Sequence, residues 1–155
     1  MLTFTELLDK FIQWHDNDRF GKKSPIAGTA VVDEIIEEYK ASLSNPDNFD
    51  QIELKEITES ETYTVWDFEG NIDEILEWVQ SMKDDGWNKI TYEGDGDYEV
   101  SRTRLETEEE AISRVNKQIR LIYLNIADRK REKEQRVQQL KDEIERLNKE
   151  LSTLN

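Results

Sequence analysis

No cysteine occurs in the 155 residues, which excludes disulfides and thiolate nucleophiles and fits a reducing compartment. Long apolar runs are missing too: no stretch approaches the roughly 18 residues that span a bilayer. The opening Met-Leu-Thr-Phe-Thr-Glu has neither the basic start nor the apolar core of a signal peptide. No serine stands in a nucleophile-elbow pattern, and no Walker-type or dinucleotide glycine pattern occurs. These absences predict a cytoplasmic chain that is not an enzyme, carries no cofactor and has no membrane partner. Apolar residues are themselves sparse, at 35% with a mean hydropathy of −0.86. Four Trp, five Tyr and five Phe nevertheless supply the large buriable surfaces that disordered chains lack. The sum is a folded protein with a very polar exterior.

Positive charge is scarce in most of the chain. Residues 1–110 hold 29 Asp and Glu against 10 Lys and Arg, a balance of −19, whereas residues 111–155 hold 7 against 11, a balance of +4. An acidic body repels nucleic-acid phosphates and anionic membranes, and it attracts basic protein surfaces at a rate that falls with salt. The same charge also serves solubility.

Local signals place the elements. Thr3 and Glu6 form a capping box ahead of Leu7, Leu8, Phe11 and Ile12, predicting a first helix. A second runs from near Thr29 to Leu43, with Val32, Ile35, Ile36 and Tyr39 on one side, and stops at Asn45-Pro46. Ile52, Leu54 and Ile57 suggest a short strand in 50–58, and the Thr- and aromatic-rich residues 61–68 suggest another. Asn71 and Glu74 open a third helix with Ile72, Ile75, Leu76, Val79 and Met82 along one stripe, closed by Asp84-Asp85-Gly86. Residues 87–92 and 98–105 then read as strands joined by the Gly94-Asp95-Gly96-Asp97 turn. A right-handed crossover sets the first two strands of this β-α-β-β order parallel, with the third antiparallel beside one of them.

Thr107 and Glu110 form a further capping box and launch the last helix. Val137, Leu140, Ile144, Leu147, Leu151 and Leu154 alternate at spacings of three and four, giving one apolar seam. Extended backwards, the frame takes in Ile126, Ile119 and Ile112, so the helix runs from Thr107 onwards for roughly 70 Å. Lys130 and Lys133 occupy both core positions of one heptad, where the seam opens. Val, Ile and Leu at the a positions with Leu at every d favour a parallel pair of this chain over larger bundles. Flanking charges leave the direction open: Arg129 faces Glu134 well in a parallel pair, Arg136 faces Lys141 badly, and an antiparallel pair lets Arg136 meet Glu150. The alternatives are that the seam folds onto the chain's own first two helices, or that a different protein covers it.

Chemistry-bearing residues are few. His15, the lone histidine, sits in Trp-His-Asp-Asn-Asp, where Asp16 or Asp18 can orient an imidazole as a general base, although a histidine at a helix C-terminus more often faces solvent and offsets the dipole. Glu93, Asp95 and Asp97 resemble a loose cation loop, but the spacing is not that of an EF-hand and an acidic hairpin turn explains it, so no metal is expected. The basic run 129–136 makes i,i+4 pairs Glu132–Arg136 and Lys130–Glu134, which turns it into solvated helix surface or a dock for a neighbouring acidic body, so direct nucleic-acid binding is not expected.

Val65-Trp66-Asp67-Phe68, Asp73-Glu74-Ile75-Leu76 and the run from Tyr98 to Glu110, followed by a charged helix, resemble small uncharacterised proteins of tailed phages in which a β-α-β-β unit runs into a long helix. That resemblance covers about residues 60–135 and implies a host-directed inhibitor or a virion component, acting in host cytoplasm or virion. The fold expected is α+β: an N-terminal helical pair, a small mixed β-sheet and a long C-terminal coiled-coil helix. Residues 1–106 form the acidic domain and 107–155 the helix, with its coiled-coil segment at 137–154. The function expected is self-association through Ile112, Ile119, Ile126, Val137, Leu140, Ile144, Leu147, Leu151 and Leu154. Asp84, Asp85, Glu93, Asp95 and Asp97, placed at one end of the sheet, then present an acidic face to a basic site on a host protein. The alternative is a structural or assembly subunit held by the same helix.

Overall fold

The computed structural model describes residues 2–17, 24–64, 67 and 70–153. Within these the chain forms four helices and a three-stranded sheet, an α+β fold divided into two compact units. The helical unit comprises residues 1–52 and 112–155; the sheet unit comprises 53–111. This is not the expected split at residue 106. The early part of the last helix belongs with the N-terminal helices instead of standing apart from them.

In the helical unit, α1 (Phe4–Asp16) starts at its predicted cap. Thr3 Oγ1 accepts the Glu6 N–H at 3.2 Å and the Glu6 carboxylate accepts the Thr3 N–H at 2.8 Å. α2 (Ala30–Ala41) is followed by a short 3₁₀ turn, Pro46–Asn48. That turn returns the chain to α1, where the Phe4 N–H donates to Asp50 O at 3.0 Å. Phe4 stacks on Tyr39 with ring centroids 3.9 Å apart and meets Phe49 edge-on. The third member is α4 (Glu108–Thr153), a single helix of 46 residues. Its Val115, Ile119, Ile122 and Ile126 are buried in the same unit as Leu7, Leu8 and Ile35.

The sheet unit contains β1 (Glu56–Thr64), α3 (Ile72–Asp84), β2 (Lys89–Gly94) and β3 (Asp97–Leu105). One strand from 56 replaces the two expected in 50–68, and Trp66 and Phe68 of the predicted second strand lie outside the described residues. β1 and β2 run the same way, as the crossover requires, but β3 lies between them and pairs antiparallel with both. The sheet is therefore antiparallel at each pairing and not mixed. Gly94 pairs with Asp97, leaving Asp95 (φ 52°) and Gly96 (φ 90°) as a two-residue loop. Both central residues take positive φ, as a type I′ hairpin turn requires, and Asp-Gly is a favoured sequence for it.

Directly opposed residues share a face, so Tyr63, Tyr98 and Tyr92 form a row across all three strands. On that face Tyr63 meets Trp78 of α3 with centroids 5.2 Å apart. The sheet is narrow, and α3 buries little of its predicted stripe. Ile75 and Met82 are half-buried, while Ile72, Leu76 and Val79 are exposed.

The end of β3 is tied to the start of α4 by an ion network. Arg104 reaches both Glu59 and Glu110, and Arg102 Nε donates to Glu59 Oε2 at 2.7 Å. Glu110 also closes the capping box, accepting the Thr107 N–H at 2.8 Å. Hydrogen bonds from Arg104, then from the Thr107 N–H, hold the Glu110 carboxyl down to about 2 from its usual 4.5. Arg104 and then Arg102 likewise hold Glu59 below its ordinary value. Carboxylates lowered on folding contribute stability that is complete above their ordinary value and is lost as pH falls through the folded one. The melting temperature of Arg104→Gln should therefore lie below that of the parent chain at neutral pH, and the gap should close as the pH is brought toward about 2.

Candidate interaction site

Beyond Arg129, α4 leaves the rest of its unit. Residues 130–153 are all exposed, and the contacts found there among the described residues lie within the helix, such as Lys149 Nζ to Glu145 Oε1 at 2.9 Å. At 1.5 Å per residue this overhang is about 36 Å long. Along it Val137, Leu140, Ile144, Leu147 and Leu151 keep between 43% and 64% of their surface in solvent. Leu154 lies outside the described residues.

The other half of the expected seam is already occupied. Ile119 is fully buried, Ile126 is 5% exposed and Ile112 is half-buried, all in the unit they share with α1 and α2. Side-chain contacts tie α4 to α2 and its end: Arg129 pairs with Glu38, and Gln118 Nε2 donates to Ser42 Oγ at 2.7 Å. Ile119 and Ile126 are thus core residues of one chain, not contacts between chains. The heptad frame alone could not distinguish the two, because a helix buries the same spacing against its own chain or another.

His15 also departs from expectation. Instead of facing solvent it is 2% exposed, between the end of α1 and the middle of α4. Its Nδ1 lies 2.9 Å from Asp16 Oδ1 and its Nε2 lies 2.8 Å from the Tyr123 hydroxyl. Asp16 in turn accepts the backbone N–H groups of Ile26 at 2.8 Å and Ala27 at 3.0 Å. The hydrogen bond from His15, then that from Ile26, holds the Asp16 carboxyl below its ordinary value. An ionised Asp16 only accepts, so Nδ1 carries a hydrogen, and in the neutral ring Nε2 accepts from the Tyr123 hydroxyl. With both ring nitrogens engaged and the ring covered, this chain of bonds works as a clamp on α1, the 24–27 segment and α4. Tyr123 was the missing partner, and no spacing in the sequence announces a contact 108 residues away.

The five acids expected to form one contact face are divided. Asp84 and Asp85 end α3, just before β2 begins, whereas Glu93, Asp95 and Asp97 lie at the hairpin tip where β2 ends. Six residues of strand separate the groups by roughly 15–20 Å, so they lie at opposite ends of the hairpin. Sequence proximity brought them together on paper; the rise of an extended strand parts them. Among the described residues no group of three or more His, Asp or Glu is placed to hold a metal ion, and no helix is long and apolar enough to cross a membrane.

The sheet unit has a surface feature of its own. A cleft of about 450 Å³ lies between α3 and the β2–β3 hairpin, walled by Trp78, Val79, Met82, Trp87, Ile90 and Val100, with Lys83 and Lys89 also lining it. It opens in a unit whose residues 53–111 carry 19 acidic against 5 basic side chains, a balance of −14 out of the chain's −15. The acidity seen in the sequence is therefore a property of the sheet unit, and the helical unit is close to neutral. Comparison with protein-family models, curated proteins and solved structures finds no match to this chain.

Proposed function

We propose that this chain is a non-enzymatic, self-associating protein-binding protein, in which the overhanging part of α4 joins copies and the sheet unit is what they display. The observation that carries this reading is the row of five exposed aliphatic residues on a helix that touches nothing else beyond Arg129 among the described residues. Most helical stability in proteins comes from packing an apolar face, which this overhang of about 24 residues lacks among the described residues of its own chain, and an a/d seam on it is stabilised by a second helix. The sheet unit's balance of −14 favours a partner with a basic surface, and the apolar cleft beside Asp84 and Asp85 offers an anchor for it. An effector directed at a host protein and an assembly subunit both use these parts. The exposed seam favours the assembly reading, since separated acids do not make one continuous charged face.

Light scattering tests the association. The full chain should have twice the chain mass at micromolar concentration, and a chain ending at Arg136 should have the single mass with its folded helical unit retained. Changing Asp84, Asp85, Glu93, Asp95 and Asp97 together to lysine should leave the mass unchanged. A full chain that stays monomeric up to millimolar concentration overturns the proposal.

A further inference from the structure

We infer that two copies of α4 pair antiparallel, with Leu140 against Leu151 of the second copy and Ile144 against its Leu147. This rests on the self-association proposed above and adds direction and register. The sequence alone leans the other way, since β-branched residues at two of the three a positions and leucine at every d suit parallel pairs. Two observations reverse that preference.

The first is the direction of the seam. Each residue turns an α-helix by about 100°, so positions 11 apart return to within about 20° of one direction. Val115, Ile126 and Val137 are such a series, and Leu140 and Leu151 another. The exposed row therefore continues the buried row on one side of the helix, the side that α1 and α2 already occupy up to Arg129. A parallel pair in register would aim the α1–α2 pair of each copy at that of the other. An antiparallel pair seats the second copy's helix along the same side, beyond α1 and α2, where the row is bare.

The second is charge. A parallel register stacks Lys130 on Lys130 and Lys133 on Lys133 in successive core layers and sets Arg136 against Lys141. Its favourable flanking contact, Arg129 to Glu134, is lost because Arg129 is held by Glu38 within its own chain. The antiparallel register brings the partially negative C-terminal end of the second helix toward Lys130, Lys133 and Arg136. Its cost is Glu143 facing Glu150 twice, tempered by Arg146, whose Nε is 3.7 Å from Glu150 Oε1 in the same helix.

The absence of native cysteine makes the test direct. Full-length Leu140→Cys and Leu151→Cys chains are oxidised separately and as an equimolar mixture, and disulfide-linked dimers are counted on non-reducing gels. In the antiparallel register two copies of residue 140 are about 16 Å apart, beyond the roughly 4.4–6.8 Å that a disulfide spans between Cα atoms. The mixture should cross-link about tenfold more than either variant alone. A dimeric mass with cross-linking of Leu140→Cys to itself overturns the direction, and a dimeric mass with no cross-link in any sample overturns the register. A monomeric mass in both variants and in the parent chain instead removes the association on which the inference stands.

Discussion

Replacing Ile119 by alanine is expected to lower the unfolding free energy by about 2–5 kcal/mol, the range for emptying a buried isoleucine site. Ile119 is fully covered, in the same core as Val115, Ile122 and Ile126. The matched control is Ile144→Ala, which removes the same atoms from a site 58% exposed and should cost under about 1 kcal/mol in samples dilute enough to separate copies. Urea titration followed by helical ellipticity compares the two. At high concentration the Ile144→Ala deficit should grow, because its seam is then covered by the second copy, while the Ile119→Ala deficit should not. Equal effects under dilution would contradict the division of α4 into a buried half and an exposed half.

The second large effect is expected at the buried histidine. His15→Ala opens a cavity between α1 and α4 and leaves the Tyr123 hydroxyl and one bond of Asp16 without their partner. Cavity and polar terms together give a loss of about 3 kcal/mol. Tyr123→Phe removes only the far end of the chain of bonds and should cost about 1 kcal/mol. Because the two residues act through one hydrogen bond, the double variant should lose less than the sum of the single losses, and thermal unfolding of the four chains reads that coupling. Additive losses would show that the bond contributes nothing of its own.

Residues that act over short distances could be read from the sequence. Thr3 with Glu6, Asn71 with Glu74 and Thr107 with Glu110 each satisfy helix-end donors within one turn, and all three caps are in place. The Asp95-Gly96 loop was legible for the same reason, since it depends on two backbone angles. Ile119 and Ile126 were legible as apolar helix positions but not as residues of one chain's core, because that depends on α1 and α2 more than 70 residues away in sequence. The division of the acids was illegible in a different way. Asp85 and Glu93 are eight residues apart in sequence, and only the observed start and end of β2 show that an extended segment holds them apart. Arg104 stood inside a strand pattern with nothing to mark it as the joint between Glu59 and Glu110.

The shared side of α4 makes the helix behave like a screw thread cut for two nuts. One residue added between Ile126 and Val137 would rotate the outer aliphatic row by about 100° while leaving the helical core packed. Such a chain would fold normally and present its leucines to the wrong quadrant. An insertion of 11 residues would turn it by only about 20° and simply lengthen the shaft. Natural variants of this protein should therefore tolerate length changes in that stretch by whole turns and not by single steps.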